Sequence, residues 1–369
     1  MDERALTERL ITYDTATLEG MQSAAGFVKG WLEARDVEVT GSMHNGRPVL
    51  AATVGPKTGP TIILHGHLDV VPGRAEQFVP RIQGDRLFGR GAYDMKGGLA
   101  SMMLAVQELS EQQDVRVHFL CVCDEESDEE DQRGSDYLVE QGYLGDFAIT
   151  GEPTDLHVGV EAKGVLAMRI EVGGTAAHGS TPWEGDNAVL KAVDVFRQIE
   201  SLPFARESSD LFDRPSINLG RILGGDAVNK VPDICTIDVD VRFLPGQDSQ
   251  AILDAVNALP DTAVVKTFRR SPAIVQRENL FVQVLGRAIE SIAPRARGIS
   301  VGRDGASDAI SFIDAGVPAV EFGPEGAGHH GPEEWVSIRS LGQYREALVE
   351  FVRLLPEALE DEGRHLRIA

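Results

Sequence analysis

Residues 61–72 read Thr61-Ile62-Ile63-Leu64-His65-Gly66-His67-Leu68-Asp69-Val70-Val71-Pro72. The apolar residues 61–64 at the start are a short β-like run. It ends in His65-Gly66-His67 and Asp69, so a hydrophobic strand carries imidazoles and a carboxylate to its carboxyl end. In an open α/β sheet that end is where ligands bind. Working outward, residues 96–112 place Leu99, Met102, Met103 and Val106 at i, i+3, i+4 and i+7, the spacing of a helix. Residues 115–122 are a second near-continuous apolar run, and 147–150 a shorter one. On the amino side, residues 18–34 carry Phe27, Val28, Trp31 and Leu32 as a helical stripe, followed by β-like runs at 37–43 and 49–54. Strands alternating with helices predict an α/β fold with helices on the faces of a sheet.

After Gly164 the period changes. Residues 165–172 put Leu166, Met168, Ile170 and Val172 on one side and Arg169 and Glu171 on the other. Residues 234–243 alternate again, Ile237, Val239, Val241 and Phe243 against Thr236, Asp238, Asp240 and Arg242. Such alternation marks strands with one buried face. Helices are predicted over 187–199 and 249–259 and another strand over 263–268, a small α+β unit of ferredoxin-like plan with an open face or edge suited to dimerisation. The α/β pattern resumes near Ser271-Pro272, with a helix over 279–292, a strand over 318–322 and a last helix from about Ser340. The chain of 369 residues exceeds the size at which one core stops growing. The pattern predicts a discontinuous domain, residues 1–163 and 273–369, interrupted by an inserted domain, residues 164–272.

A hydrophobic content of 42% is that of an ordinary globular chain, which argues against disorder. The formal net charge of -23 repels phosphate backbones and anionic lipid, so neither nucleic acid nor a membrane is an expected partner. No apolar run approaches the roughly 20 residues that cross a bilayer. The opening Met1-Asp2-Glu3-Arg4-Ala5-Leu6 lacks the basic and apolar regions of a signal peptide. Three cysteines, Cys121, Cys123 and Cys235, are too few and odd in number for a disulfide framework. These features together predict a cytoplasmic protein.

Residues 61–72 and four other segments carry carboxylates or imidazoles suited to chemistry. In His67-Leu68-Asp69 the carboxylate can accept the second ring N–H of a metal-ligating histidine. Asp94, within Gly89-Arg90-Gly91-Ala92-Tyr93-Asp94-Met95-Lys96-Gly97-Gly98, stands just before a helix, where a carboxylate ordinarily caps the first turn. The glycines exceed what a cap needs and allow a close approach of backbone, so Asp94 could instead bridge two cations. Asp124-Glu125-Glu126 follows the buried run 115–122, so Glu125 and Glu126 are delivered to the sheet end, whereas residues 128–131 read as a solvated acidic loop. Adjacent carboxylates can divide the work, one binding metal and the other taking a proton from water. Glu152 follows the strand at 147–150, and His329-His330 precede Gly331-Pro332-Glu333-Glu334.

Taken together, Gly66-His67-Leu68-Asp69-Val70-Val71-Pro72, the glycine-rich segment 89–98, Asp124-Glu125-Glu126, Gly151-Glu152-Pro153-Thr154 and the segment 329–334 resemble, in order and spacing, the M20 metallopeptidases. That family includes acetylornithine deacetylase, succinyl-diaminopimelate desuccinylase, aminoacylase and glutamate carboxypeptidase-type enzymes, and the resemblance spans nearly the whole chain. It implies a zinc-peptidase catalytic domain, a mixed sheet flanked by helices, with an inserted lid and dimerisation domain. It implies two zinc ions, cobalt or manganese being acceptable to the same ligands. Asp94 matches the bridging carboxylate and is followed by a cis peptide. His67 and Glu152 match the ligands of one ion, Glu126 and His330 those of the other. Asp69 matches the residue that orients His67, and Glu125 the general base. The spacing of His330 to Glu333 favours His330 over His329. In the inserted domain, His178 within Gly174-Thr175-Ala176-Ala177-His178-Gly179-Ser180-Thr181-Pro182 resembles the histidine that stabilises the oxyanion in the partner subunit's site. Asn229 and Arg242 match positions that bind a substrate carboxylate, although a cross-strand pair of Arg242 with Asp238 or Asp240 is the simpler reading.

The expected activity is hydrolysis of the amide bond of a small N-acyl amino acid by a homodimer. Ala162-Lys163-Gly164 and Gly151-Glu152-Pro153-Thr154 lean toward acetylornithine deacetylase. The alternatives are a glutamate carboxypeptidase- or dipeptidase-type peptidase acting on a small peptide, a succinyl-diaminopimelate desuccinylase, and, in another class, a non-catalytic homologue that binds metal or ligand without turnover.

Overall fold

Thr61–His67 forms the strand that its apolar run predicts, and the strand continues through His65-Gly66-His67 instead of stopping at Leu64. The computed structural model describes residues 1–127, 133–296, 300–305 and 307–368, with side chains through Glu362. The acidic run 128–131 lies outside the described residues. Thr61–His67 is the centre of a mixed sheet ordered Val39–His44, Arg47–Val54, Arg116–Val122, Thr61–His67, Phe147–Thr150, Ala319–Glu321, Val158–Ala162. It pairs in parallel with Arg116–Val122, His67 opposite Val122, and with Phe147–Thr150, His65 opposite Thr150. Because these neighbours are parallel, the segments after His67, Val122 and Thr150 all leave the sheet at one edge. The sheet interior is apolar: Ile62, Ile63, Leu64, Phe119, Leu120, Ala148 and Ile149 are fully buried. Each such large side chain contributes about 1.5–3 kcal/mol.

Two compact units are found, Met1–Val160 with Val275–Val301 and Ser307–Ala369, and Glu161–Ile274 with Gly302–Ala306. In the first, helices Gly97–Glu108 and Leu280–Ile292 pack on the long helix Ile338–Ile368. Asn279 is the cap of its helix and not its first residue, its side chain accepting from the N–H of Phe281 at 2.9 Å. A second small sheet, Gly326–Ala327, Trp335–Ser337, Arg86–Phe88 and Arg81–Gln83, brings two distant segments together. Its strands are two or three residues long, too short to show a period, and the sequence reading missed them.

The second unit runs strand, helix, strand, strand, helix, strand: Gly164–Gly173, Ala188–Ile199, Ser216–Gly224, Ile234–Phe243, Ser249–Asn257, Thr262–Arg270. The antiparallel sheet is ordered Ser216–Gly224, Ile234–Phe243, Gly164–Gly173, Thr262–Arg270, a ferredoxin-like plan. Leu166, Met168, Ile170, Val172, Ile237, Val239 and Val241 share one core with Ala192, Val195, Phe196, Ile252 and Val256 of the helices. The edge strand Ser216–Gly224 has no fully buried residue, and only Ile217 and Leu219 alternate toward the core before the pattern breaks, too short a signal to announce it in the sequence.

Candidate metal centre

The common edge of the parallel strands collects the site. His67 ends its own strand, Glu125 and Glu126 follow Arg116–Val122, and Glu152 follows Phe147–Thr150. Asp94 lies in a one-turn π-helical segment, Ala92–Lys96, in which its own φ and ψ are extended. The capping reading of Asp94 is therefore wrong: the residue before the helix Gly97–Glu108 is Lys96, and no side chain caps that helix. The peptide between Asp94 and Met95 is cis. A Cβ on Gly66 would collide with the end of the Met95 side chain, so the glycine inside the central strand admits the residue that follows Asp94. Gly91, at a φ of 76°, supplies the left-handed turn that opens the segment.

Two groups of three ligand-type residues form here and share one member: His67, Asp94 and Glu152, and Asp94, Glu126 and His330. His67 Nε2 lies 3.3 Å from Asp94 Oδ1 and 3.6 Å from Glu152 Oε1. His330 Nε2 lies 3.4 Å from Asp94 Oδ2 and 3.0 Å from Glu126 Oε1. Each oxygen of Asp94 thus faces a different imidazole. His67 Nδ1 sits 3.0 Å from the main-chain oxygen of Asp69, which can only accept, so Nδ1 carries a proton and, in the neutral ring, Nε2 is the nitrogen that offers its lone pair. That Nε2 is buried without a hydrogen-bond partner and faces two carboxylates. A ring nitrogen turned on two carboxylates calls for positive charge between them, either a ring proton or a cation, and nitrogen and oxygen donors of this kind suit zinc. The residues present fit a two-ion centre.

Asp69 differs from the expectation in the atoms it uses. Its carbonyl takes the His67 N–H, while carboxylate Oδ2 accepts from the backbone N–H of Glu126 at 2.8 Å and Oδ1 lies 3.5 Å from the ring. The residue therefore does two things: its carbonyl orients one candidate ligand, and its carboxylate holds the main chain of another.

The electrostatics match a site built for cations. Burial lowers the His67 pKa, but the nearby carboxylates of Asp69, Asp94 and Glu152 outweigh it and raise the ring well above its ordinary value. Burial raises Asp94, yet the two imidazoles hold it well below the carboxylate range. Hydrogen bonds to Asp94 and Glu126 lift His330 to about 10. Burial, with Asp308 and Glu126 nearby, pushes Glu125 up to about 8 against the pull of His67. Burial likewise raises Glu152, which feels Asp94 and Glu125. Glu125 thus stands in the same field as the ligand-type groups without belonging to either triplet.

His65 belongs to a different cluster. It is buried, its ring 5.3 Å from that of Phe312, with Nε2 2.9 Å from Ser135 Oγ. His329 is exposed beside Tyr93. His330 adopts a left-handed φ of 60°, a strained conformation that a functional position can hold.

Glu334, not Glu333, anchors the metal segment, and the sequence reading missed it. Glu333 is exposed and pairs with Arg81. The Glu334 carboxylate is buried against Arg90 at 2.8 Å and accepts from the N–H groups of Gly91, Tyr93 and Asp94 at 2.9, 3.0 and 3.1 Å. It ties the Asp94 turn to the segment that carries His330, whose carbonyl accepts from Arg90 at 3.3 Å. Glu334→Ala strands a buried arginine and three amides, and is expected to cost about 3–5 kcal/mol of stability. Thermal or urea unfolding measures this, and a loss under 1 kcal/mol would rule out the anchoring role.

In the second unit, the strip carrying His178 lies beside Asn229, whose carbonyl accepts from Gly179 N–H at 2.7 Å. The backbone N–H of Ser180 donates to His178 Nδ1 at 3.2 Å. That nitrogen is therefore an acceptor, and in the neutral ring the proton sits on exposed Nε2. Arg242 donates through Nε to Asp240 at 3.0 Å; the partner is one the simpler reading named, but the two residues share the strand Ile234–Phe243, so the pair is within a strand and not across two. Lys163 is buried, 2.7 Å from Asp304 and donating to the carbonyl of Arg214.

Residues 63–354 match the family model described as Peptidase family M20/M25/M40. The chain is 31% identical over 326 residues to the succinyl-diaminopimelate desuccinylase of Gluconobacter oxydans, a match covering 83% of this chain and 84% of the relative. It is 27% identical over 372 residues to the acetylornithine deacetylase of Photorhabdus laumondii, covering 94% of each. Its fold is similar to that of a tripeptidase from Staphylococcus aureus, with a TM-score of 0.80 at 19% identity over 97% of this chain and 99% of that one. An M20 family metallo-carboxypeptidase from Sulfolobus solfataricus gives a TM-score of 0.78 at 19% identity, covering 97% and 100%.

Proposed function

Because the chain belongs to peptidase family M20/M25/M40, a family of hydrolases that cleave C–N bonds, we propose that it hydrolyses the amide bond of a small N-acyl amino acid. The observation that carries this reading is the pair of ligand triplets sharing Asp94, with the carboxylate of Glu125 alongside and uncommitted to either. Asp94, His67 and Glu152 would hold one zinc ion, and Asp94, Glu126 and His330 the other. Bound there, the ions supply Lewis acidity and make water a stronger acid. Glu125 takes a proton from the attacking water and returns it to the leaving nitrogen. The Nε2–H of His178 donates to the carbonyl oxygen as charge gathers on it, acting across a dimer. Asn229 and Arg242 receive the substrate carboxylate, Arg242 releasing Asp240 to do so.

The lead substrate is acetylornithine, on the lean of the segments 151–154 and 162–164. A desuccinylase among the relatives and a tripeptidase and a carboxypeptidase among similar folds keep N-succinyl compounds and small peptides in the test. Purified protein is assayed on N-acetyl and N-succinyl amino acids and on dipeptides, with and without added zinc. Turnover of N-acetyl amino acids above the rest supports the proposal. Zinc binding with no turnover on any of them would favour the non-catalytic homologue.

The inserted unit is proposed as the dimer interface. Its edge strand exposes Ile222 and Leu223, and the helix Ala188–Ile199 exposes Leu190 and Val193. An open, apolar strand edge invites pairing with another chain. Leu223→Asp is expected to shift sedimentation from dimer to monomer and to cut turnover with it, since His178 then has no partner site to serve. A dimer of undiminished strength would exclude this surface. A reducing compartment, the cytoplasm, is proposed on three buried, unpaired cysteines. Among the described residues no helix is long and apolar enough to cross a membrane.

A further inference from the structure

We propose that Arg133 is a positioning residue for Glu125, fixing the main chain from which the carboxylate projects; this rests on the base role given to Glu125 above. Glu125 sits in a turn beyond the strand Arg116–Val122, where no sheet hydrogen bond holds it. Arg133 is buried, and its Nη1 donates to the main-chain oxygens of both Asp124 and Glu125. The next two residues brace the same place. Gly134 N–H donates to Asp124 Oδ2 at 2.6 Å. Ser135 Oγ donates to Asp308 Oδ2 at 2.6 Å and lies 2.9 Å from His65 Nε2. The hydroxyl has one proton, given to Asp308, so His65 is the donor to Ser135. Through that chain the start of the helix Gly134–Glu140 is tied to the strand that ends in His67. From the other side, Asp69 holds the amide of Glu126. The pair Glu125-Glu126 is thus gripped at its carbonyl side by Arg133 and at its amide side by Asp69.

An arginine suits the task because its guanidinium is always charged and rigidly planar, so the one nitrogen that meets both carbonyls is held in place, whereas a lysine is a point donor on a flexible stem. A displacement of about 1 Å in a catalytic group can cost about 10²-fold in rate. In the zinc-loaded enzyme, Arg133→Met is therefore expected to lower kcat about 10²-fold, with KM and zinc stoichiometry unchanged. Arg133→Lys should recover part of the loss. In a Glu125→Gln background, Arg133→Met should add nothing, because residues that act through one group are not additive. Full kcat in Arg133→Met overturns the proposal. So does a loss that persists undiminished beside Glu125→Gln, or one that tracks loss of zinc. If the methionine variant does not fold, the lysine variant decides: lowered kcat with KM and zinc kept supports the proposal, and unchanged kcat overturns it. Near-normal turnover in Glu125→Gln alone defeats the base reading instead, a separate outcome.

Discussion

Glu125→Gln is expected to lower kcat by about 10²- to 10⁴-fold, the range that positioned proton transfer contributes, while the protein still binds two zinc ions. The amide has the size and planarity of the carboxylate but cannot take a proton from water. Glu125 belongs to neither ligand triplet, and the neighbouring Glu126 amide stays held by Asp69, so metal content and fold should survive. The environment is suited to a base. Burial and adjacent carboxylates raise Glu125 to about 8 in the metal-free chain, and cations bound beside it draw that value down toward neutrality. Steady-state kinetics beside elemental zinc analysis measure both halves. Turnover within a few-fold of the parent removes Glu125 from the role, and a loss of zinc makes it a ligand instead.

Asp94→Ala should do more, by another route. Asp94 is the one residue common to both triplets, with Oδ1 toward His67 and Oδ2 toward His330. Its removal deprives both ions of a ligand and leaves two imidazoles without the charge that holds them. Zinc affinity is expected to fall by more than the about 10–100-fold typical of losing an outer-shell partner, and activity to fall to background. His67→Ala or His330→Ala should weaken one ion and spare the other. Equilibrium dialysis against a chelator at fixed zinc distinguishes the cases. A variant that keeps both ions at parental affinity would show that Asp94 does not bridge.

Much of the site can be read from the chain because three apolar runs end in chemistry. The runs before His65-Gly66-His67, Asp124-Glu125-Glu126 and Glu152 are strands by composition alone, and a strand's carboxyl end is where a parallel sheet presents groups. Asp94 was harder. Its place before a helix gives a cap and a ligand the same local appearance; the cap is excluded because Lys96, not Asp94, precedes the helix Gly97–Glu108, while Glu334 binds the turn that carries Asp94. The same holds for the two histidines on one strand: the helix Ala309–Asp314 brings Phe312 against His65, which leaves His67 to face Asp94 and Glu152.

What the residues determine by themselves is local and periodic: the buried strands, the amphipathic helices, the alternating sheet of the inserted unit and the acidic groups at strand ends. Those follow from the 2.0 and 3.6 periods of side chains, which are properties of short segments. Only the tertiary structure decides that Glu334 and not Glu333 is buried on Arg90, that Asp69 works through its carbonyl, and that Arg133 reaches back to the carbonyls of Asp124 and Glu125. The first is a choice between chemically equal neighbours made by a segment 244 residues away, and the other two depend on how a turn or loop folds back on itself. No period within a segment carries that information.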